Sequence, residues 1–391
     1  MMRFVFSIQS AISHFNPMRP VANELRARGH DVIFATSIHI IEFIESKGFE
    51  VITVADAWTP EQVAKRDSYP LPEQGAFDIG VMFADVLPPL VLTALQEYFG
   101  DNLPDLIIRD QLEFGGYLAG EVLGIPHATL NISAGWQVAS EWLSERVIPP
   151  LTKYRKHYNL PDVDVLASLS RYLRLDMSPE SLLPETYYKT PTTHRFNQFT
   201  KVASDVLPEW VATLPHDKTI LIMLGTVWHE NDAHLDTLIK AAQDLPVNVI
   251  VATGREETTL DANAYTDNVT ITSYIPFTAL TPKLSAAVHH GGFVTLLTML
   301  NGGVPSVVTP LAADHFLNGR LVQASQVGKT ILPADISVTS VRQAIQVILE
   351  DETYSNNADR VMQDMHAMHT VHEACDMLEQ VARTKQALIA N

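Results

Sequence analysis

The stretch 285–318 reads SAAVHHGGFVTLLTMLNGGVPSVVTPLAADHFLN, and its punctuation predicts a strand, a tight turn and a helix. Ala286, Ala287 and Val288 form a short apolar run, His289, His290, Gly291 and Gly292 make a polar elbow, and 293–300 is apolar enough for a buried helix. A second turn at Gly302 and Gly303 leads to an apolar strand over 304–308, and Pro310 starts a loop that carries Asp314 and His315. In parallel α/β sheets such loops lie beyond the carboxyl ends of the strands, where ligands bind. Glycine lets backbone N–H groups approach an anion, and the positive end of the helix dipole favours negative charge there. The elbow reads as a diphosphate cradle, although Gly-Gly before a helix also serves as a plain tight turn. Neighbouring strand residues point to opposite faces, so at most one of His289 and His290 faces a ligand.

The whole string resembles the donor-binding signature of the GT-B glycosyltransferases of the UDP-glycosyltransferase-like superfamily that act on natural products and other lipophilic acceptors. The bacterial signature runs His-His-Gly-Gly-Ala-Gly-Thr, Ala-Gly-Val-Pro, Pro, Asp-Gln and a nearby Asn. Here it is matched by His289, His290, Gly291, Gly292, Thr295, Gly303, Val304, Pro305, Pro310, Asp314 and Asn318. The resemblance implies an α/β fold of two Rossmann-like, doubly wound parallel-sheet domains facing a central cleft. The acceptor domain is expected over 1–205 and the nucleotide-sugar domain over 215–391, with the last helix packing back on the first domain.

The whole-chain balance is compatible with this. The 391 residues, 46% of them hydrophobic, suffice for two domains with sizeable cores. Lys and Arg number 27 against 45 Asp and Glu, and the net charge of −18 opposes nucleic acid and anionic membranes. A small anionic donor must then be captured by local dipoles. A single cysteine, Cys375, excludes an internal disulfide, no apolar stretch reads as a signal peptide or membrane span, and a cytoplasmic enzyme is expected.

In chain order, a strand over 3–8, a loop over 9–16 and a helix from Pro17 to Arg28, capped by Asn16, begin an alternation of strands and helices. His14 then lies in a loop at a strand's carboxyl end, and Ser13-His14-Phe15-Asn16-Pro17 resembles the family segment that carries the catalytic base. An imidazole titrating near neutrality can take the proton of an attacking hydroxyl. Asp110 ends the apolar strand 106–108 and matches the family aspartate that orients this histidine. A capping or surface role for Asp110 is the alternative. Residues 58–75 read as a long loop and 77–99 as a helix. Met82, Phe83, Trp136 and Trp142 fall in segments that form the family's acceptor pocket, although such residues also pack cores.

Prolines at 184, 191, 208 and 215 mark a boundary, after which a strand over 218–224 and Gly225-Thr226 restart the pattern. By the resemblance, Thr226, His289, Gly291, Gly292, Val294 and Thr295 hold the diphosphate, Tyr274 stacks on the base, and Asp314 and His315 hold the sugar. Phe277 stands where the family has glutamine, Leu297 where plant relatives bind ribose with a glutamate, His315 where Gln is usual, and Phe293-Val294 where Ala-Gly is usual. The missing ribose ligand leans the reading toward dTDP-sugars over UDP-sugars.

The implied reaction is an inverting, metal-independent sugar transfer to a lipophilic or aromatic small molecule. The nucleotide sugar serves as co-substrate, and no cofactor or metal is expected. Asp162-Val163-Asp164 repeats a metal-binding pattern of another transferase fold but lies outside the cradle. A sugar-nucleotide epimerase and a non-catalytic helper of another transferase are the rival classes, and the resemblance leaves a homodimer open.

Overall fold

The computed structural model describes residues 1–70, 74–75, 77–134, 140–185, 187–199, 206–225 and 231–390, with the backbone alone over 140–143. Two compact units divide the chain. The first comprises Met1–Met177, Thr186–Gln198 and His369–Asn391, and the second Ser178–Glu185 and Phe199–Met368.

Among the described residues, the first unit holds a parallel eight-stranded sheet. Its strands are β1 (Arg3–Ser7), β2 (Asp31–Ser37), β3 (Glu50–Val54), β4 (Leu106–Asp110), β5 (His127–Asn131), β6 (Leu173–Asp176), β7 (Thr193–Asn197) and, late in the chain, β14 (His369–Thr370). Their order is β14-β7-β6-β5-β4-β1-β2-β3. Strands covered on both faces must be apolar throughout, and β4 and β5 are buried at every residue. Val5, Ile33, Ile52 and Ile107 meet Val91 and Leu95 of the helix Leu87–Phe99 and Leu118 of the helix Gly115–Leu123 in one core.

The second unit repeats the plan with β8 (Thr219–Met223), β9 (Asn248–Ala252), β10 (Val269–Thr272), β11 (Ala286–His289), β12 (Ser306–Val308) and β13 (Gly328–Thr330), in the order β10-β9-β8-β11-β12-β13. Each sheet runs outward from its first strand to one side and then restarts on the other. The reversal falls between β1 and β4 in one unit and between β8 and β11 in the other. Connections diverge there, which leaves room for a ligand at the carboxyl ends.

Several expectations are corrected. The first helix spans Ile12–Ala27, so His14 sits in its first turn and Asn16 is not its cap. Pro17 and Pro20 lie inside it. Each removes one backbone bond, yet burial of Phe15, Met18, Val21, Ala22 and Leu25 holds the helix together. Residues 58–75 are not all loop. Thr59 caps a helix over Pro60–Asp67 by accepting the Gln62 N–H, with Pro60 at the start. Residues Asp78–Val86 form a π-helix continuous with Leu87–Phe99, and the combined Asp78–Phe99 helix is long and apolar enough to cross a membrane by length and composition. Its apolar side chains Met82, Leu87, Val91, Leu92 and Leu95 are packed in the first unit's clusters.

The segment after residue 368 completes the first unit. β14 pairs with β7, and the helix Val371–Thr384 packs on Ile12–Ala27. Arg28 fixes that contact, donating to Asp376 at 2.7 Å, Glu379 at 2.8 Å, the His372 carbonyl at 2.7 Å and Glu24 at 2.9 Å. Its side chain is only 15% exposed, so removing it strands the partly buried carboxylates of Glu24 and Glu379. Arg28→Met is expected to lower the unfolding free energy by about 1–3 kcal/mol, measured as a lower urea midpoint.

Candidate active site

In the first unit the site grows from the reversal point. Gln9 follows β1, Asp110 ends β4, and His14 opens the helix between β1 and β2. The Asp110 side chain is fully buried. One carboxylate oxygen accepts the Gln9 backbone N–H at 2.8 Å and faces His14 Nδ1 at 2.9 Å, while the other accepts the Leu112 N–H at 2.7 Å. Burial pushes this carboxyl upward, but the His14 charge and hydrogen bond and the two amides outweigh it and hold the group below its ordinary range. An ionised Asp110 accepts the hydrogen of His14 Nδ1, so the neutral ring carries its lone pair on Nε2. His14 is 20% exposed, which leaves the ring reachable from solvent. The arrangement has the geometry of a histidine oriented by a carboxylate.

The second unit places the elbow at its own reversal point. Gly291 adopts φ +92°, where a side chain would be strained, and a Cβ there would stand 2.7 Å from Val308. Gly292 occupies the N-cap of the helix Phe293–Asn301, and no side chain among the described residues caps it. Asn318, fully buried, holds the elbow by donating to the Gly291 carbonyl at 2.8 Å and to Asp314 at 3.1 Å. Phe293 is buried, 4% exposed, while Val294 and Thr295 are half-buried.

The two histidines differ. His289 is fully buried; its Nδ1 accepts the Gly291 N–H at 3.0 Å, and its Nε2 has no partner among the described residues. The His290 ring stands over the loop glycines, so that a Cβ on Gly225 or Gly292 would lie 2.5 Å from it. It packs edge-on to His315 with centroids 4.6 Å apart. His315 is itself engaged, its Nδ1 accepting the Leu311 and Ala312 N–H groups at 3.4 and 3.2 Å. Burial, helped by the neighbouring His315, presses His289 down to about 3 and His290 to about 2, and burial likewise lowers His315.

Next to Gly225 lies a cavity of about 380 Å³ with Met223, Ala252 and Phe277 as apolar lining and Arg255, Ser273 and Tyr274 around it. Tyr274 is exposed, open for stacking, and Phe277 is half-buried. Leu297 is core.

Other expected residues fall differently. Met82 is fully buried in a cluster with Ala57, Phe77 and Leu87, so it is packing and not acceptor surface. Phe83 is half-buried and meets Trp58 edge-on. Thr226, Trp136 and the Trp142 side chain lie outside the described residues. Asp164 caps the short helix Val165–Ser168 by accepting the Ala167 N–H. Sequence reasoning passed over Gln9, whose backbone gives no signal, and left Asn318 without a role despite its place in the signature.

Residues 23–225 match the amino-terminal domain of the family described as erythromycin biosynthesis protein CIII-like, and residues 236–381 match its carboxyl-terminal domain. The chain belongs to this family. Its members and structural neighbours are GT-B glycosyltransferases, and the chain shares that fold and enzyme class. The 3-alpha-mycarosylerythronolide B desosaminyl transferase of Saccharopolyspora erythraea is 23% identical over 97% of this chain and 98% of its own. The L-demethylnoviosyl transferase of Streptomyces niveus is 26% identical over 90% of each chain. Among solved structures, the calicheamicin glycosyltransferase CalG4 superposes with a TM-score of 0.81 at 20% identity, covering 98% of this chain and 99% of that one. SnogD of Streptomyces nogalater gives 0.74 at 24% identity, covering 97% and 99%.

The histidines of this erythromycin CIII-like chain have a thermodynamic consequence. A histidine held neutral in the native state but free to protonate when unfolded makes the unfolded chain bind more protons as pH falls below about 6.5. Stability is then complete above that pH and declines below it, because His289 and His290 stay neutral down to about 3 and 2. Between pH 6.5 and 5 each is expected to cost on the order of 1–2 kcal/mol. Urea unfolding of His290→Gln at pH 7.5 and 5.0 should show a shallower acid loss than wild type.

Proposed function

We propose that this chain transfers a sugar, with inversion, from a nucleoside diphosphate donor to a hydroxyl of a lipophilic natural-product aglycone, with dTDP-sugars as favoured donors. The observation that carries the reading is the 2.9 Å contact of His14 Nδ1 with the buried Asp110, at the reversal point of the first sheet. His14 Nε2 takes the acceptor proton as the oxygen attacks the anomeric carbon, and Asp110 stabilises the imidazolium. The leaving diphosphate is held by the first-turn amides at Val294 and Thr295, by the Gly291-Gly292 elbow, and by His289 and Thr226. Asp314 and His315 hold the sugar, and Tyr274 stacks on the base above the cavity. Phe83, Trp136 and Trp142 are assigned to the acceptor.

Support for the acceptor class comes from relatives whose names state transfer to macrolide aglycones, as for the 10-deoxymethynolide desosaminyltransferase of Streptomyces venezuelae. The dTDP preference is supported by Leu297 in place of a ribose ligand and by the structural neighbour VinC, which was crystallised with dTDP. Electrostatic capture by amides and a helix terminus requires no divalent ion in the step.

His14→Ala and Asp110→Asn are expected to lower transfer by about 10²–10⁴-fold while leaving dTDP binding intact. Full transfer in both variants would refute the base assignment. In thermal-shift titrations dTDP at 100 times its dissociation constant should add about 2.7 kcal/mol, unchanged by EDTA and larger than for UDP at equal concentration. A larger UDP shift would reverse the donor preference, and an EDTA-sensitive shift would overturn metal independence.

A further inference from the structure

Asp110 is followed by the turn 111–114 that leads into the helix Gly115–Leu123, and one side chain holds this turn by its backbone. Arg109, 1% exposed, donates from a single guanidinium nitrogen to the carbonyls of Asp110 at 3.1 Å, Gln111 at 3.3 Å and Glu113 at 3.0 Å. Its other terminal nitrogen donates to the Leu169 carbonyl at 2.9 Å, which also accepts the Thr129 hydroxyl at 2.8 Å. The strand alternation puts Arg109 on the sheet face opposite to Asp110. It therefore meets Asp110 at the backbone carbonyl and not at the carboxylate.

We propose that Arg109 is the positioning residue of the His14–Asp110 pair, its planar fork locking the turn that aims the Asp110 carboxylate. This rests on the reading of His14 as base. Two arguments favour it over simple packing. A guanidinium buried at this depth is costly to desolvate, and an apolar side chain in a buried strand would avoid that cost. Moreover, one guanidinium nitrogen gathers the carbonyls of Asp110, Gln111 and Glu113 while the other holds the Leu169 carbonyl, so the fork ties the turn to a second segment, a two-ended bridge that the single ammonium of lysine does not reproduce.

The charge inventory agrees. Asp110 and Glu113 are both buried, and Glu113 lies under the amides of Gly115 at 2.6 Å and Gly116 at 2.7 Å. Burial and the nearby Asp110 push Glu113 up, while the Gly116 amide and Arg109 pull it down. Burial lowers Arg109 itself to about 10, so it stays a cation at neutral pH. The positive charge of Arg109 therefore stands beside Asp110, which is held ionised, and Glu113, which burial biases toward its neutral form.

The test is an NMR titration of the full chain with labelled histidine, in wild type, Arg109→Lys, Asp110→Asn and the double variant. The His14 signal is assigned by its loss in His14→Gln. Asp110→Asn should move the His14 midpoint to lower pH, because the imidazolium loses its counter-charge. Arg109→Lys keeps the charge but not the fork, and should move the midpoint the same way by a smaller step. In the double variant the Arg109 change should add nothing to Asp110→Asn. A folded Arg109→Lys with an unmoved His14 midpoint overturns the proposal, as does a shift that adds fully to that of Asp110→Asn. A lysine variant without the native amide spectrum overturns it too, because Arg109 would then hold the fold and not the pair. An unmoved midpoint in Asp110→Asn instead brings down the underlying base assignment, and this inference with it.

Discussion

Parallel strands covered by helices on both faces can be joined only through crossovers, and every crossover leaves its strand at the carboxyl end. A sheet that starts in its middle and grows first one way and then the other must part its loops at the starting strand. This chain meets that constraint twice, beside β1 and beside β8. The residues proposed for the chemistry lie at both partings. At β1 a buried carboxylate is satisfied by two amides and a histidine, and at β8 two glycines and a histidine ring shape the start of the helix Phe293–Asn301.

The two partings solve opposite electrostatic problems. At the first, the protein supplies its own anions, and Glu113 occupies the amides at the start of the helix Gly115–Leu123. At the equivalent helix of the second unit no side chain among the described residues caps the terminus, and the stretch 285–318 contains neither lysine nor arginine. An anion arriving there meets oriented amides and neutral imidazoles in a chain that carries a net charge of −18. Fixed dipoles discriminate by geometry more than by long-range attraction, a sensible basis for telling a nucleoside diphosphate from the other anions in the surroundings.

Much of the fold was legible, because the apolar runs and Gly-Gly punctuation of 285–318 match the observed strand, elbow and helix nearly residue for residue. The early helix was misread since Asn16-Pro17 imitates a cap and first turn, and only the burial of Phe15 and Met18 shows that the helix begins sooner. The place of Asp110 at the end of a strand was legible, whereas His14, expected in a loop, lies in the first turn of a helix. Arg109 was not legible, since the carbonyls that it gathers come from its own turn and from Leu169, a juxtaposition no local pattern encodes. Met82 was misplaced for a similar reason, as side-chain type does not distinguish a pocket wall from a core.

The return of residues 369–391 to the first unit makes the second unit an insertion within it. Arg28 waits for Asp376, a partner 348 positions further along. During synthesis the ribosome emits the whole second unit before the helix Val371–Thr384 that covers Ile12–Ala27. The first unit therefore stands with an apolar face of Ile12–Ala27 uncovered until residues 371–384 emerge, so its packing closes only after the inserted unit has been made.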